Sequence, residues 1–358
     1  MSAVMSGLEA FAGVRRNEPM RRHTSWRVGG PAELYFEPQD EDELAAFLAA
    51  LPPDMPVHIV GLGSNLLVRD GGVRGAVVST RKLARRIERL DETRVRAGAG
   101  VPCATFARQC VRWSLGPAAF FAGIPGTIGG ALAMNAGAFG GETWDRVESV
   151  ETIDRAGVRR TYARDAFEIG YRHVRLERLP KGVSDTSSDT ASDSASKKVS
   201  DTFFGKGHRG PLPPRPKKVS DTPFAARHLF GAVPFFLAAT FRLEHDPAAD
   251  PAAIRAMLDK RAATQPMGVP SCGSVFRNPE GTHAGALIEQ AGLKGLTIGG
   301  AQVSEKHANF IINTGAATAD DIERLIETVR RRVAERTGIT LTLEARVIGE
   351  RRREGEDA

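Results

Sequence analysis

Phe121-Ala122-Gly123-Ile124-Pro125-Gly126-Thr127-Ile128-Gly129-Gly130-Ala131-Leu132-Ala133-Met134-Asn135-Ala136-Gly137-Ala138-Phe139-Gly140-Gly141 is the stretch that decides how this chain folds. No charged side chain lies between Arg112 and Glu142, and glycine occupies positions 123, 126, 129, 130, 137, 140 and 141. Such a segment is a poor helix former, since each interior glycine costs roughly 1 kcal/mol against alanine. It is also too apolar for a solvated linker. Its usefulness therefore lies in the main chain, because glycine lets backbone N–H groups approach a ligand and adopts φ > 0 freely. A pyrophosphate suits such a backbone. The alternative is a tightly turned core segment whose glycines serve only close packing.

A second glycine turn lies upstream. Val57-His58-Ile59-Val60 reads as a short buried strand running into Gly61-Leu62-Gly63-Ser64-Asn65, then Leu66-Leu67-Val68 and a further strand at Gly75-Ala76-Val77-Val78. A dinucleotide-binding Rossmann turn needs a third glycine at position 66 followed by a helix. Position 66 is Leu and a strand follows, so that fingerprint is absent. The N–H groups of the turn, with the Ser64 and Asn65 side chains, remain suited to phosphate.

The composition narrows the class. A chain of 358 residues with 41% hydrophobic content has room for two or three packed domains. Its net charge of +6 favours acidic ligands such as nucleotides. Arginine runs at 330–332 and 351–353 read as solvated faces, so no nucleic-acid partner is expected. Cys103, Cys110 and Cys272 have neither metal spacing nor even number, which argues against a zinc site or a disulfide framework. No run of eighteen apolar residues and no signal pattern is seen, so a soluble cytoplasmic protein is expected.

In chain order, Trp26 to Phe36 reads as a strand interrupted at Gly29-Gly30-Pro31. Asp40 to Leu51 reads as an amphipathic helix with Leu44, Phe47, Leu48 and Leu51 on one face. Val95 to Ala97 gives a strand, and Ala104 to Trp113 a helix. Val147 to Ile153 and Val158 to Tyr162 flank Asp154-Arg155-Ala156-Gly157 as a hairpin, with Phe230 to Leu243 the next strand of that sheet. Lys181 to His228 repeats Val-Ser-Asp-Thr at 183, 199 and 219 and reads as a disordered low-complexity insertion. Beyond it come helices over Asp250 to Thr264 and Gly285 to Ala291. A long helix follows, opened by a Thr318-x-x-Asp321 capping box and closed at Gly338. The last strand is expected to put Ile339, Leu341, Leu343, Ala345 and Val347 on one side and Glu344 on the other.

These motifs, taken together, resemble the UDP-N-acetylenolpyruvoylglucosamine reductase (MurB) family. The residues that carry the resemblance are Thr24-Ser25-Trp26-x-Val28-Gly29-Gly30, the 61–67 turn, Gly123-Ile124-Pro125-Gly126-x-x-Gly129-Gly130 and Asn135-Ala136-Gly137-Ala138. Downstream they are Tyr171-Arg172, Gly273-Ser274-Val275-Phe276-Arg277-Asn278-Pro279, Gly299 to Ser304 and Glu344 to Gly349. The likeness spans nearly the whole chain except the insertion. It departs from the family at Val174, where a serine is usual, and at His23, where asparagine is.

The resemblance implies a mixed α/β and α+β architecture. Two subdomains (1–80, and 81–245 including the 181–228 insertion) would form an FAD-binding fold of the p-cresol methylhydroxylase/vanillyl-alcohol oxidase type. A substrate-binding α+β domain (246–349) and a tail (350–358) would follow, in the shorter type II form. It implies non-covalent FAD held by Gly61, Gly63, Ser64, Asn65, Leu66, Gly123, Pro125, Gly126, Thr127, Ile128, Gly129, Gly130, Asn135 and Gly137. NADPH is the implied hydride donor, UDP-N-acetylglucosamine enolpyruvate the acceptor, and a monomer the implied state, with no metal. Ser274 maps onto the family's proton donor, Arg172 onto the group that holds the substrate carboxylate, and Glu344 onto the carboxyl beside the reacting carbon. Asn278, Gln302, Lys306, His307 and Asn309 are the candidates for substrate contacts.

Each of these residues has a plainer reading: a turn serine, an exposed salt-bridging arginine, a strand glutamate paired with Arg346. Two other functions compete at the level of the chain. One is a flavin oxidase of alcohols or lactones with covalently tethered cofactor, and the other a basic, non-enzymatic nucleotide or nucleic-acid binder.

Overall fold

The computed structural model describes residues 11–177 and 234–352, together with Leu8. The Val-Ser-Asp-Thr repeats of the expected insertion lie outside the described residues. The strands Arg15–Pro19, Pro31–Phe36, Val73–Ser79 and Val57–Val60 form one sheet in that order, the first pair antiparallel and the others parallel. Helix α1 (Glu41–Ala50) lies between its second and third strands in sequence. The Asp40 side chain accepts from Glu43 N at 2.8 Å, giving the helix a start, and Leu44, Phe47 and Leu48 give it a buried face. The anticipated strand from Trp26 is shorter than the sequence suggested, beginning only at Pro31.

Trp26 instead crosses to the far end of the chain. Its indole N–H donates to Ile311 O at 2.7 Å, Asn313 Nδ2 donates back to Trp26 O at 3.0 Å, and the ring is fully buried among the C-terminal hydrophobic residues. The first and last parts of the chain thus share a core.

The second sheet is antiparallel throughout, in the order Arg159–Ala163, Val147–Ile153, Phe235–Arg242, Arg94–Gly98, Ile87–Arg89. Helix α2 (Cys103–Arg112) packs on it, with the rings of Phe106, Phe121 and Phe241 4.7–5.5 Å apart. The glycine-rich stretch holds a surprise: Ile128–Met134 is a helix, α3, where low propensity argued against one. Tertiary packing overrides propensity here. Ile128, Ala131 and Leu132 are buried, Thr127 caps the start through Gly130 N, and Asn135 at φ 40° ends it. Gly129 lets the helix lie close to the sheet, since a Cβ there would stand 2.9 Å from Ala99 Cβ.

Helix α4 (Pro251–Thr264) buries Ile254 in the core of the second sheet. The remaining C-terminal residues form α5 (Ala284–Gln290), the antiparallel strands Thr297–Ile298, Ala301–Val303 and Ile311–Asn313, and α6 (Ala319–Thr337). The capping box at Thr318 and Asp321 and the left-handed Gly338 bound α6 where expected. The final strand is reduced to Arg346–Ile348, lying parallel to Leu66–Val68. Ahead of it Glu344 N and Ala345 N both donate to Val275 O, at 2.8 and 3.3 Å. Two donors on one carbonyl break the ladder in the manner of a bulge.

Arg69, just past Leu66–Val68, grips Glu323 of α6 through Nε and Nη2, both at 2.9 Å, and Arg351 adds a third contact at 2.7 Å. Burial opposes ionisation of Glu323, but the two guanidinium groups outweigh it and hold its pKa below the usual carboxylate value. Its contribution to stability is therefore present above the unfolded-state pKa and lost as pH falls through the lowered folded-state value. Glu323→Gln is expected to destabilise the protein by on the order of 2 kcal/mol at neutral pH. In thermal melts the gap between wild type and variant should close on acidification. A gap that stays constant into the acid range would contradict this account.

Candidate functional site

Two backbone loops meet at the centre. A Cβ on Gly61 would lie 2.6 Å from Thr127 Oγ1, and one on Gly126 would lie 3.4 Å from Ser64 Oγ. Gly63, at φ +63°, passes so close to the His23 carbonyl that a Cβ would come within 2.1 Å of it. Among the described residues, the N–H groups of Leu62, Gly63, Ser64, Asn65, Gly126 and Thr127 donate to no protein acceptor. Six free amides on two abutting loops suit the oxygens of a pyrophosphate. An FAD diphosphate therefore fits the residues present.

Other members of the expected set are engaged elsewhere. Ile128 N and Gly129 N donate to Val101 O and Ala99 O, so their hydrogens are spent within the protein. Gly130 N goes to Thr127 Oγ1, while Leu66 begins the strand beside Arg346 and Gly137 pairs with Glu142. Pro125 follows Ile124 at the end of the short turn over Ala119–Gly123, and the Gly123 carbonyl accepts from Arg261 Nη1 at 2.5 Å. Asn135 is 3% exposed and saturated. It donates to Glu142 Oε2 at 2.7 Å and to Gly170 O at 3.3 Å, and accepts from Trp144 N. Its side chain thus braces a hairpin instead of facing a cofactor.

That hairpin, Phe167–Gly170 with His173–Leu176, carries Arg172 at its tip. Arg172 holds φ 56°, a left-handed conformation costing roughly 1–2 kcal/mol for a non-glycine residue. The strain is offset at the side chain, where Nε and Nη2 both reach Glu344 Oε1 at 2.8 Å. The Tyr171 hydroxyl lies 3.4 Å from Glu344 Oε2. Glu344 thus pairs with Arg172. Burial pushes its carboxyl pKa above the usual value, and Arg172 and Arg277 only partly counter this. Asn65 ties the amide loop to the same segment, donating to Glu344 O at 3.2 Å and accepting from Arg346 N at 3.0 Å.

Ser274 precedes Val275, whose carbonyl receives Glu344 N, so the backbones carrying Ser274 and Glu344 are neighbours. The segments that carry the three expected catalytic residues, distant in sequence, thus meet: Arg172 holds Glu344, and Glu344 N reaches the residue after Ser274. Ser274 also lines a cavity of about 330 Å³ with Asn278, Lys306, His307, Asn309, His283 and Glu289. Asn309 is 3% exposed and clamps Phe276 by accepting from its N–H at 2.9 Å and donating to its carbonyl at 2.8 Å, so it positions the Ser274 segment. Asn278 Oδ1 accepts from Ala284 N at the start of α5. Lys306 Nζ donates to Ala262 O, and burial lowers the His307 pKa. Gln302 is not among the lining residues; its amide turns to Gly295 O and Thr297 Oγ1.

Tyr171, Arg277 and His283 were not selected from the sequence, although the first two sit inside motifs that were. His283 carried no spacing signal. The three cysteines are free and buried, burial raising Cys103 and Cys110 to about 12 and Cys272 well above its usual value. Among the described residues no cluster could hold a metal ion, and no helix is long and apolar enough to cross a membrane.

Both parts of the chain have counterparts among known proteins. A family model described as the UDP-N-acetylenolpyruvoylglucosamine reductase C-terminal domain matches residues 265–348, and one described as an FAD binding domain matches residues 32–162. A UDP-N-acetylenolpyruvoylglucosamine reductase from Alkalilimnicola ehrlichii is 48% identical over 338 residues, spanning 94% of this chain and 95% of the relative. A relative of the same description from Methylococcus capsulatus is 47% identical over 335 residues, spanning 93% of this chain and 92% of its own. The crystal structure of UDP-N-acetylenolpyruvylglucosamine reductase (MurB) from Thermus caldophilus superposes with a TM-score of 0.67 at 28% identity, over 94% of this chain and 99% of that one. With both family models matched and relatives 47–48% identical over more than nine-tenths of either chain, this chain belongs to the UDP-N-acetylenolpyruvoylglucosamine reductase family of FAD-binding oxidoreductases.

Proposed function

We propose that the protein uses NADPH to reduce the enolpyruvyl group of UDP-N-acetylglucosamine enolpyruvate to UDP-N-acetylmuramate, a peptidoglycan precursor. The observation that carries this reading is the Arg172–Glu344 pair held one backbone hydrogen bond from the Ser274 segment and tied to the amide loop through Asn65. When bound, FAD supplies the hydride that reaches the methylene carbon of the acceptor. Leu62 to Asn65, with Gly126 and Thr127, would hold its diphosphate.

The chain's own residues do the rest. Arg172 receives the acceptor carboxylate as a bidentate partner. Reduction at the methylene carbon pushes electrons toward that carboxylate and leaves the neighbouring carbon needing a proton. Ser274 Oγ–H supplies it, which a serine can do only where its alkoxide is stabilised and water is scarce. Glu344, its carboxyl raised by burial, steadies Arg172 and keeps a hydrogen-bonding group beside the reacting carbon. Asn278, Lys306 and His307 line the cavity where the nucleotide sugar would lie. NADPH, lacking a Rossmann turn of its own, would use the same cavity and leave before the acceptor enters. We place the reaction in the cytoplasm, in a monomer with cofactor subdomains over 1–80 and 81–245 and a substrate domain over 246–349.

The visible spectrum of the purified protein tests the proposal. Expected are a flavin band near 450 nm that acid releases as free FAD, anaerobic bleaching by NADPH, and recolouring by the enolpyruvyl nucleotide alone. A bleached enzyme that the nucleotide leaves colourless would overturn the assignment.

A further inference from the structure

We propose that Arg277 is a second catalytic cation, whose Nε takes the acceptor carboxylate opposite Arg172 as charge builds there. This inference rests on the function proposed above. Arg277 Nε is buried and, among the described residues, has no hydrogen-bond partner. Its backbone is fixed by the bond from Arg277 N to Thr342 O at 2.8 Å, which sets the point from which the side chain departs. Its guanidinium carbon lies 5.9 Å from the centroid of the Tyr171 ring, and that of Arg172 lies 5.5 Å from the same centroid. Two guanidinium groups thus share one aromatic ring at the edge of the converged site.

The charge balance asks for an anion. Around Tyr171 stand Arg172, Arg277 and the carboxylate of Glu344, which is already taken by Arg172. A buried charged donor without an acceptor is unfavourable, and in a folded protein it calls for a partner that arrives later. The acceptor carboxylate enters as a monoanion. Hydride addition to the methylene carbon forms a C–H bond, breaks the C=C π bond and moves its electron pair into an aci-carboxylate of two negative charges. Proton transfer from Ser274 then returns the group to one charge. Arg172 is partly neutralised by Glu344 throughout, so the transient second charge falls to a guanidinium nitrogen without a hydrogen-bond partner, and Arg277 Nε is one.

The test uses holoenzyme reduced beforehand with stoichiometric dithionite, so that NADPH is not needed, and follows flavin recolouring. Wild type, Arg277→Gln and Arg277→Lys are each mixed with the enolpyruvyl nucleotide or with its carboxamide analogue. Arg277→Gln is expected to recolour about 100-fold more slowly with the carboxylate at saturation. Its preference for carboxylate over carboxamide should shrink by a similar factor, and Arg277→Lys should regain part of both, as a point charge without the planar fork. Equal loss for both acceptors, seen as weaker binding only, would assign Arg277 to the diphosphate and overturn the proposal, as would an unchanged preference. Should Arg277→Gln not retain flavin, Arg277→Lys decides: a variant slowed equally with carboxylate and carboxamide would sink the assignment. Wild-type enzyme that the carboxylate does not recolour would instead refute the underlying function.

Discussion

Ser274→Ala is expected to lower kcat for reduction of the enolpyruvyl nucleotide by about 10²–10⁴-fold while leaving its KM within a few-fold of wild type. The hydroxyl acts only when the reacting carbon needs its proton, so its loss raises the barrier without weakening ground-state binding. The fold should tolerate the change, because Ser274 lines a cavity and the segment is held by Asn309 and Glu344 through backbone bonds that alanine keeps. Anaerobic stopped-flow work separates the halves of the reaction: bleaching by NADPH should proceed, and recolouring by the nucleotide should stall. A variant within tenfold of wild-type kcat would remove Ser274 from the chemistry.

Gly63→Ala should empty the cofactor site. A methyl group at this position would stand 2.1 Å from the His23 carbonyl oxygen and 2.9 Å from Thr24 Cα, both backbone atoms that cannot rotate away, on a residue at φ +63°. The loop must shift, and the free amides of Leu62 to Asn65 shift with it. We expect the purified variant to be colourless and its affinity for added FAD to fall at least about 100-fold, the loss of some 3 kcal/mol of binding. Gly140→Ala is the control, for it shares a positive φ of +86° but has nothing within 4 Å of the added carbon. That variant should carry only the conformational cost of roughly 1 kcal/mol and keep its colour. If Gly63→Ala binds FAD as wild type does, the 62–65 amides are not the cradle.

Much of the architecture was legible because it rests on local signals. Asp40, Thr318 and Gly338 announced the ends of α1 and α6, and the Asp154-to-Gly157 turn announced its hairpin. Helix α3 was not legible, because what stabilises it is contact with Ala99 and a buried apolar face, neither visible in a run of glycines. The last strand was overread. Alternation from Ile339 to Val347 is real, but its backbone partners are Val275 and Arg277 on one side and Leu66 to Val68 on the other, and the ladder breaks between them.

The candidate site was found through motif order and corrected by hydrogen-bond bookkeeping. Asn135 and Asn309 have the residue type a ligand contact needs, yet every polar arm is committed to holding another segment. Ile128 and Gly129 likewise have no amide to offer. Arg277 escaped notice for the opposite reason: what marks it is a missing partner, and a sequence cannot display an absence.

The parallel alignment of Leu66–Val68 with Arg346–Ile348 bears on how the polypeptide is made. Arg69 and its acceptor at Gly349 are 280 positions apart, so at ordinary translation speeds roughly 15–60 s separate their emergence from the ribosome. Throughout that interval the nascent amino-terminal unit exposes an unzipped edge and Trp26 has no pocket to enter. The tie of the 62–65 loop to Glu344 and Arg346 through Asn65 is therefore among the last contacts the chain can make.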